Sequence, residues 1–407
     1  MEPKSGTFGN MTLVVLWFGA SVSIAEIMTG GLLAPMGFSP ALVGIVVGHL
    51  LGAVLLYLGG TIGAQSGLPS MVSTRLSFGL AGSRLFAVLN ILQLIGWTAI
   101  MIISGANAAN EISQLVMGVS SHLAWTLALG IAIMAWIWLG AEGFTKLNVV
   151  AVVLLFALTL VLAYVVFDTG AHHTKATSET SFSMGLALEL SIIMPLSWLP
   201  LIGDYTRFAK NKTAGVWGAT TGYFLGSTLM YVIGLGAALH SGSADPSQMM
   251  LAANLGLFAL GIVVLSTVTT TFLDAYSAGV STTAIFPKIK ERHAAVGMAF
   301  VGLCLALWVP MHQYEHFLYA IGSVFGPLFA IVLCDYFFFQ NRALNPKLLL
   351  HVNALVVWII GVGAYYAFKG MDLEIGAVLP TMAFTALVFT VVKKSTKSWK
   401  FERENVA

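Results

Sequence analysis

Charge is scarce in this chain. Acidic and basic residues make up 9% of its 407 residues, where an ordinary soluble domain carries about 25%. So few charges cannot cover a water-facing surface, which excludes a soluble globular protein of this length. The net charge is only +2 at pH 7, and no basic patch interleaves with aromatics, so no nucleic-acid partner is expected. Cysteine is almost absent: Cys304 and Cys334 both lie in apolar runs, where packing is their expected role and neither a disulfide nor a cysteine metal framework follows. There is no Gly-x-Ser-x-Gly elbow for a nucleophile and no repeated loop that could form an ion filter. Neither an intramembrane enzyme nor a channel is expected. The first apolar run is full length and follows ten mostly polar residues, which does not read as a cleavable leader.

What the chain has in abundance is apolar sequence, 58% of all residues. A membrane-crossing helix needs roughly 20 such residues. Twelve candidate spans follow: 12–35, 41–64, 83–110, 122–141, 147–167, 184–206, 214–239, 253–281, 294–310, 316–338, 350–368 and 375–392. The expected fold class is therefore an all-α polytopic membrane protein in the lipid bilayer. With this map, seventeen basic residues fall on the side of the two tails, among them Lys4, Arg75, Lys146, Arg207, Lys288, Arg342, Lys397 and Arg403. Only Lys175 and Lys369 fall on the other side. The positive-inside rule then places both termini in the cytoplasm.

Two spans look interrupted. The first carries small and polar residues at mid-depth, Gly19-Ala20-Ser21-Val22-Ser23. The sixth carries Pro195 and Pro200, each of which removes a backbone donor. The breaks lie about 175 residues apart, at matching places in two five-span blocks, 12–167 and 184–338. Five is odd, so the second block would run inverted, and paired breaks in inverted halves point to a transporter site at the midplane. The rest of the chain divides into a tail, 1–11, two additional helices over 350–392, and a basic tail, 393–407.

The eighth span holds the densest cluster of oxygen. Ser266, Thr269, Thr270 and Asp274 fall at i, i+3, i+4 and i+8, hence on one helical face. Hydrocarbon does not solvate such groups, so the face must meet protein, water or a solute. It is rich in oxygen and lacks Lys and Arg, which suits a small hard cation such as Na⁺.

Several motifs then resemble one family. Gly67-Leu68-Pro69 with Arg75-Leu76-Ser77-Phe78-Gly79, Gly96-Trp97, Asp204-Tyr205-Thr206-Arg207-Phe208, Tyr276-Ser277-Ala278-Gly279 and Asp335-Tyr336 are similar to those of the nucleobase–cation symporters. That family contains permeases for cytosine, uracil, allantoin and hydantoins. The resemblance implies the leucine-transporter-type fold, two inverted five-helix repeats plus two helices, and uptake driven by a cation gradient. It implies a Na⁺ site made by carbonyls of Gly19 and Val22 with oxygens of Ser266, Thr269 and Thr270. It implies a substrate pocket at Trp97, Ser197 and Thr271, with Trp198 standing in for the family's usual aromatic of span six, where this chain has Pro195. No cofactor beyond Na⁺ as coupling ion is implied, and no obligate protein partner.

The chain departs from the family at the pocket. Thr271 replaces an amide, and Ser23 replaces an aromatic. Glu26 is an acid at mid-membrane with no basic residue in any span core. A carboxyl there must bind something or hold a proton, and it pairs well with the edge of an aminopyrimidine. The segment Phe18–Leu32 resembles the branch that carries 4-amino-5-hydroxymethyl-2-methylpyrimidine, the thiamine precursor. Gln93 lies one turn before Trp97 and Asp274 one turn beyond Thr270, completing the candidate set. His49 is expected to pack, and Glu189 to line a vestibule. Asp204 with Arg207, and Asp335 near Arg342, fall at cytoplasmic helix ends, where gate or packing contacts are expected. The expected protein is a Na⁺-coupled importer of a small pyrimidine in a bacterial inner membrane. A cytosine permease, or the same fold driven by protons through Glu26 or Asp274, is the alternative.

Overall fold

The computed structural model describes residues 6–168, 183–252, 257–308, 314–395 and 400–402. Lys4, Lys175, Lys397 and Arg403 of the charge pattern lie outside the described residues, as do the side chains of 140–149 with Lys146. Span one is two helices, α1 (Asn10–Ser21) and α2 (Ile24–Gly31). Next come α3 (Phe38–Ser66), the short α4 (Ser70–Ser73), α5 (Arg75–Met117) and α6 (His122–Asp168). The second block holds α7 (Met184–Ser197), α8 (Leu199–Thr206), α9 (Lys212–Ser241) and the short α10 (Pro246–Ala252). It continues with α11 (Leu257–Ile285), α12 (Glu291–Ala306) and α13 (Tyr314–Leu333), which runs into a π-helical turn, Cys334–Phe338. Two more helices follow, α14 (Val352–Gly370) and α15 (Val378–Ser395). They are bracketed by an antiparallel strand pair, β1 (Leu348–His351) and β2 (Lys400–Glu402).

Among the described residues, nine helices are long and apolar enough to cross a bilayer, and the bent α1–α2 pair makes ten. Two other expected spans are helical but shorter, Val152–Asp168 and α12 with 16 residues. The expected pair 122–141 and 147–167 lies within α6, as the apolar stretches His122–Leu139 and Val152–Asp168. Its two halves serve different neighbours: Leu129 packs at Gly105 and Val152 at Gly19. Exposed Val43, Leu50, Leu92, Ile131, Leu225, Ile359 and Leu387 coat the outside with apolar side chains, as lipid contact requires.

Glycines set how closely the helices approach. On α3, Gly44, Gly48 and Gly52 face Ala187, Ser191 and Pro195 of α7, both series at i, i+4, i+8. On α9, Gly218, Gly222, Gly226 and Gly234 face the main chain of span one at Asn10, Val14, Phe18 and Ile27. Such small-residue stripes let backbones meet where lipid supplies no hydrophobic drive. The α9 seam holds both halves of the broken span against one straight helix.

The two additional helices are tied on by one acid. Glu189 of α7 accepts from Tyr365 Oη at 2.7 Å, and from the main-chain N–H groups of Ala377 and Val378 at 2.7 and 2.8 Å. It thus caps the free amides at the start of α15. Asp335 accepts from Ser77 Oγ and Asn341 Nδ2, both at 2.8 Å, and forms an ion pair with Lys393. Arg342, close to it in sequence, lies over the Tyr336 ring. Asp204 accepts from the Ser70 N–H at 3.0 Å, and Arg207 donates to the Asp204 carbonyl at 3.3 Å.

The seam predicts a position-specific cost. Gly222→Val sets its added carbons against the Val14 main chain, which cannot swing aside. Gly363→Val, with nothing within 4 Å of its Cβ position, is the control. Overpacking costs about 1–3 kcal/mol, so Gly222→Val should melt several degrees below both wild type and the control in detergent. Equal melting of the two variants would remove the seam as a constraint.

Candidate functional site

Val22 ends α1 with φ −80° and ψ 79°, the geometry of an inverse γ-turn, and the Ser23 N–H donates to the Ser21 carbonyl at 2.9 Å. Ser23 then caps α2: its Oγ accepts the Glu26 N–H at 3.3 Å. Ser23-x-x-Glu26 is the sequence form of a capping box, but the Glu26 side chain does not return the bond. The two halves of span one meet at 54°.

Span eight, α11, meets the break. The Ile24 N–H donates to Ser266 Oγ at 2.9 Å, and Thr270 Oγ1 donates to the Ala20 carbonyl at 3.4 Å. Thr269 donates to Leu265 of its own helix at 2.7 Å. The two threonine hydroxyls spend their hydrogens on carbonyls, which leaves oxygen lone pairs for a cation. Oxygens of Ser266 and Thr270 thus gather at the end of α1, where Gly19 and Val22 lie.

Beside the break lies a small cavity of about 20 Å³. Ser23, Glu26, Trp97, Ser197, Trp198, Thr270 and Asp274 line it, with Ala25, Met101 and Met194. All ten are buried. The indole of Trp97 is held edge-on by Phe317 and Tyr314, with centroids 5.3 and 6.1 Å away. Trp198 is set likewise against Trp17 at 5.5 Å. The sixth span breaks for a single residue: Trp198 lies between α7 and α8, behind Pro195. Ser197 donates to the Met194 carbonyl at 2.6 Å.

The two acids of the cavity differ in kind. Both oxygens of Glu26 are taken, by Tyr223 Oη and Ser227 Oγ of α9, each at 2.8 Å. Asp274 is 4% exposed, and among the described residues no donor lies within hydrogen-bonding distance of its carboxyl. An unpartnered carboxyl lining a buried cavity is available to a solute.

Gln93 does not line the cavity: its Nε2 donates to the Ser197 carbonyl at 2.8 Å, supporting the span-six break from behind. Thr271 does not reach it either, and its buried hydroxyl meets no partner. His49 is bonded at both ring nitrogens, to the Ile45 carbonyl at 2.8 Å and to Ser227 Oγ at 2.7 Å. Tyr223 and Ser227 are absent from the candidates read from the sequence, although with Tyr231 they stand at i, i+4 and i+8 on one face of α9. A second overlooked spacing is His312-x-x-Glu315-His316. His312 lies outside the described residues, and among those described no three His, Cys, Asp or Glu gather as a metal centre.

Comparison with known proteins agrees with this geometry. A family profile described as "Permease for cytosine/purines, uracil, thiamine, allantoin" matches residues 2–393. The cytosine permease of Escherichia coli K12 is 25% identical over 389 residues, spanning 93% of this chain and 90% of its own. The solved structure of Mhp1, a nucleobase-cation-symport-1 family transporter with bromovinylhydantoin bound, superposes with a TM-score of 0.79. It is 19% identical and covers 97% of this chain and 94% of its own. A Na⁺-coupled sialic acid symporter shares the fold with a TM-score of 0.72, at 13% identity and over 99% and 92% of the two chains. The chain belongs to the family of permeases for cytosine and purines, uracil, thiamine and allantoin, and is a multi-pass membrane transporter of nucleobase-type compounds rather than an enzyme.

Proposed function

We propose that the chain is a Na⁺-coupled importer of a small 4-aminopyrimidine, with 4-amino-5-hydroxymethyl-2-methylpyrimidine as the first choice of substrate. It works in a bacterial inner membrane with both termini cytoplasmic, and its twelve spans include two five-helix repeats that rock about the cavity. The observation that carries this reading is the free carboxyl of Asp274 in a buried cavity that it shares with the indole of Trp97. An exocyclic amine donates to that carboxyl, and a flat ring lies on the indole face. The ring's binding then costs no unmet polar group on either side. Glu26 borders the same space, but its oxygens are already engaged by α9. The wall it forms shapes the pocket, and Asp274 reads the amine.

Cytosine carries the same amino edge, and a cytosine permease is among the relatives. It is therefore the second reading, and a ligand panel separates the two. Na⁺ would bridge α1 and α11 through the Gly19 and Val22 carbonyls and the oxygens of Ser266, Thr269 and Thr270. Cation and ring would share the span-one break, so each would favour binding of the other by the same factor.

Two outcomes test the reading. Replacing Na⁺ by K⁺ at constant pH should abolish concentrative uptake into proteoliposomes. Thr270→Val, which keeps the shape and removes one oxygen, should weaken Na⁺ binding about tenfold or more, since an unmet polar contact costs about 1–3 kcal/mol. Uptake indifferent to the replacement would overturn Na⁺ coupling.

Asp274→Asn should lower the affinity for 4-aminopyrimidines about tenfold, because an oxygen that accepts from the amine becomes an N–H donor and an unmet buried contact costs about 1–3 kcal/mol. Pyrimidines with a 4-oxo group should bind the wild type poorly and hardly notice the change. Isotherms that rank amino and oxo rings alike on both proteins would move the reading site away from Asp274.

A further inference from the structure

We propose that Glu26, Ser227 and His49 form one proton-binding site, which joins spans one, two and seven at the wall of the cavity. The chain of contacts is continuous. The Ile45 carbonyl lies 2.8 Å from His49 Nδ1, His49 Nε2 lies 2.7 Å from Ser227 Oγ, and Ser227 Oγ lies 2.8 Å from Glu26 Oε2. Tyr223 Oη closes the other carboxyl oxygen at 2.8 Å. Glu26, His49 and Ser227 are each at most 2% exposed.

The hydrogens can be counted. A carbonyl only accepts, so the Ile45 contact places a hydrogen on Nδ1. Ser227 then has one hydrogen for two contacts, one to Nε2 and one to Oε2. With His49 neutral and Glu26 ionised, one contact would set lone pair against lone pair in a buried place. One further proton removes the conflict, and it has two placements. On Oε2, Glu26 donates to Ser227 and Ser227 donates to Nε2. On Nε2, His49 donates to Ser227 and Ser227 donates to Glu26. Moving between them shifts one hydrogen from Oε2 to Oγ as another leaves Oγ for Nε2. No atom is gained or lost.

Both placements leave the site with zero net charge, and losing the proton leaves it at −1. Among the described residues, the titratable groups facing Glu26 are Tyr223 and Tyr231 of α9, Tyr314 of α13 and, across the cavity, Asp274 of α11. The ring packed on His49 is Tyr231, 4.5 Å away. None of these is a cation that could hold the negative charge. The proton therefore belongs to the assembled site. Movement of α2 away from α9 would open the Ser227–Glu26 contact and free the proton, which links protonation to the shape of the cavity whatever ring or cation is carried.

The test uses the full-length protein in lipid nanodiscs, without any ring or sodium, so its result is independent of the substrate reading. Infrared spectra across a pH titration detect carboxylic-acid groups, and ¹⁵N-histidine resonance detects imidazolium. At neutral pH the wild type should show either an acid band that is lost in Glu26→Gln, or an imidazolium signal that is lost in His49→Gln. Asp274→Asn assigns any band from the other acid. His49→Gln also offers Ser227 an N–H without an added proton. Its Glu26 band should therefore vanish at a pH lower by about one unit or more, the size expected for one lost interaction. That variant keeps Glu26 in place and decides the matter should Glu26→Gln fail to fold. An ionised Glu26 beside a neutral His49 in the wild type, or an unmoved titration in His49→Gln, would overturn the site.

Discussion

A peptide N–H or C=O without a partner inside hydrocarbon costs several kcal/mol, and the turn at Val22 strands such groups in the middle of span one. Ser266 and Thr270 settle this from another helix, one by accepting from Ile24 and the other by donating to Ala20. The order of the site follows from that exchange. α11 must lie against the break, which brings Asp274, one turn beyond Thr270, to the cavity. Span one must bend where it does, which delivers Ser23 and Glu26 to the same space. A straight span one would leave neither the cavity nor carbonyls for a cation.

The cavity holds two acids that the protein treats in opposite ways. Glu26 is satisfied by hydroxyls of α9 and rigidly placed. Asp274 is buried yet given no donor, so its desolvation is compensated only when a solute supplies one. In the proposed function a bound ring would supply that donor, and selectivity would fall on whatever group faces Asp274. Trp97 adds no such discrimination, because every planar ring has a face.

Long periodic stretches were legible from residue order: the expected span 184–206 matches Met184–Thr206, and the two breaks fall at Val22 and Trp198. Hydropathy and proline act locally, so local sequence reports them. The partners of Glu26 were not legible, because Tyr223 and Ser227 lie 197 and 201 residues away and one hydroxyl face of a helix looks like many others. Gln93 and Thr271 show the same limit in reverse. Their spacing puts them near the site, but which side of the helix meets the cavity is decided by contacts distant in sequence, such as that of Gln93 with the Ser197 carbonyl. The pairing of β1 with β2 carried no signal that composition could separate from a loop.

Glu189 has a consequence for how the protein is made. Its amide partner Ala377 lies 188 residues further along, and a ribosome adds roughly 5–20 residues per second. The sixth helix thus enters the membrane roughly ten to forty seconds before the peptide groups that cap its acid have been synthesised. For that interval the nascent chain holds an unmatched acid within an apolar helix. The second half can close only when the last hairpin arrives. Biogenesis of this transporter is gated from its C-terminal end, and a chain released before the final helix would leave the insertion machinery with its sixth helix unmatched.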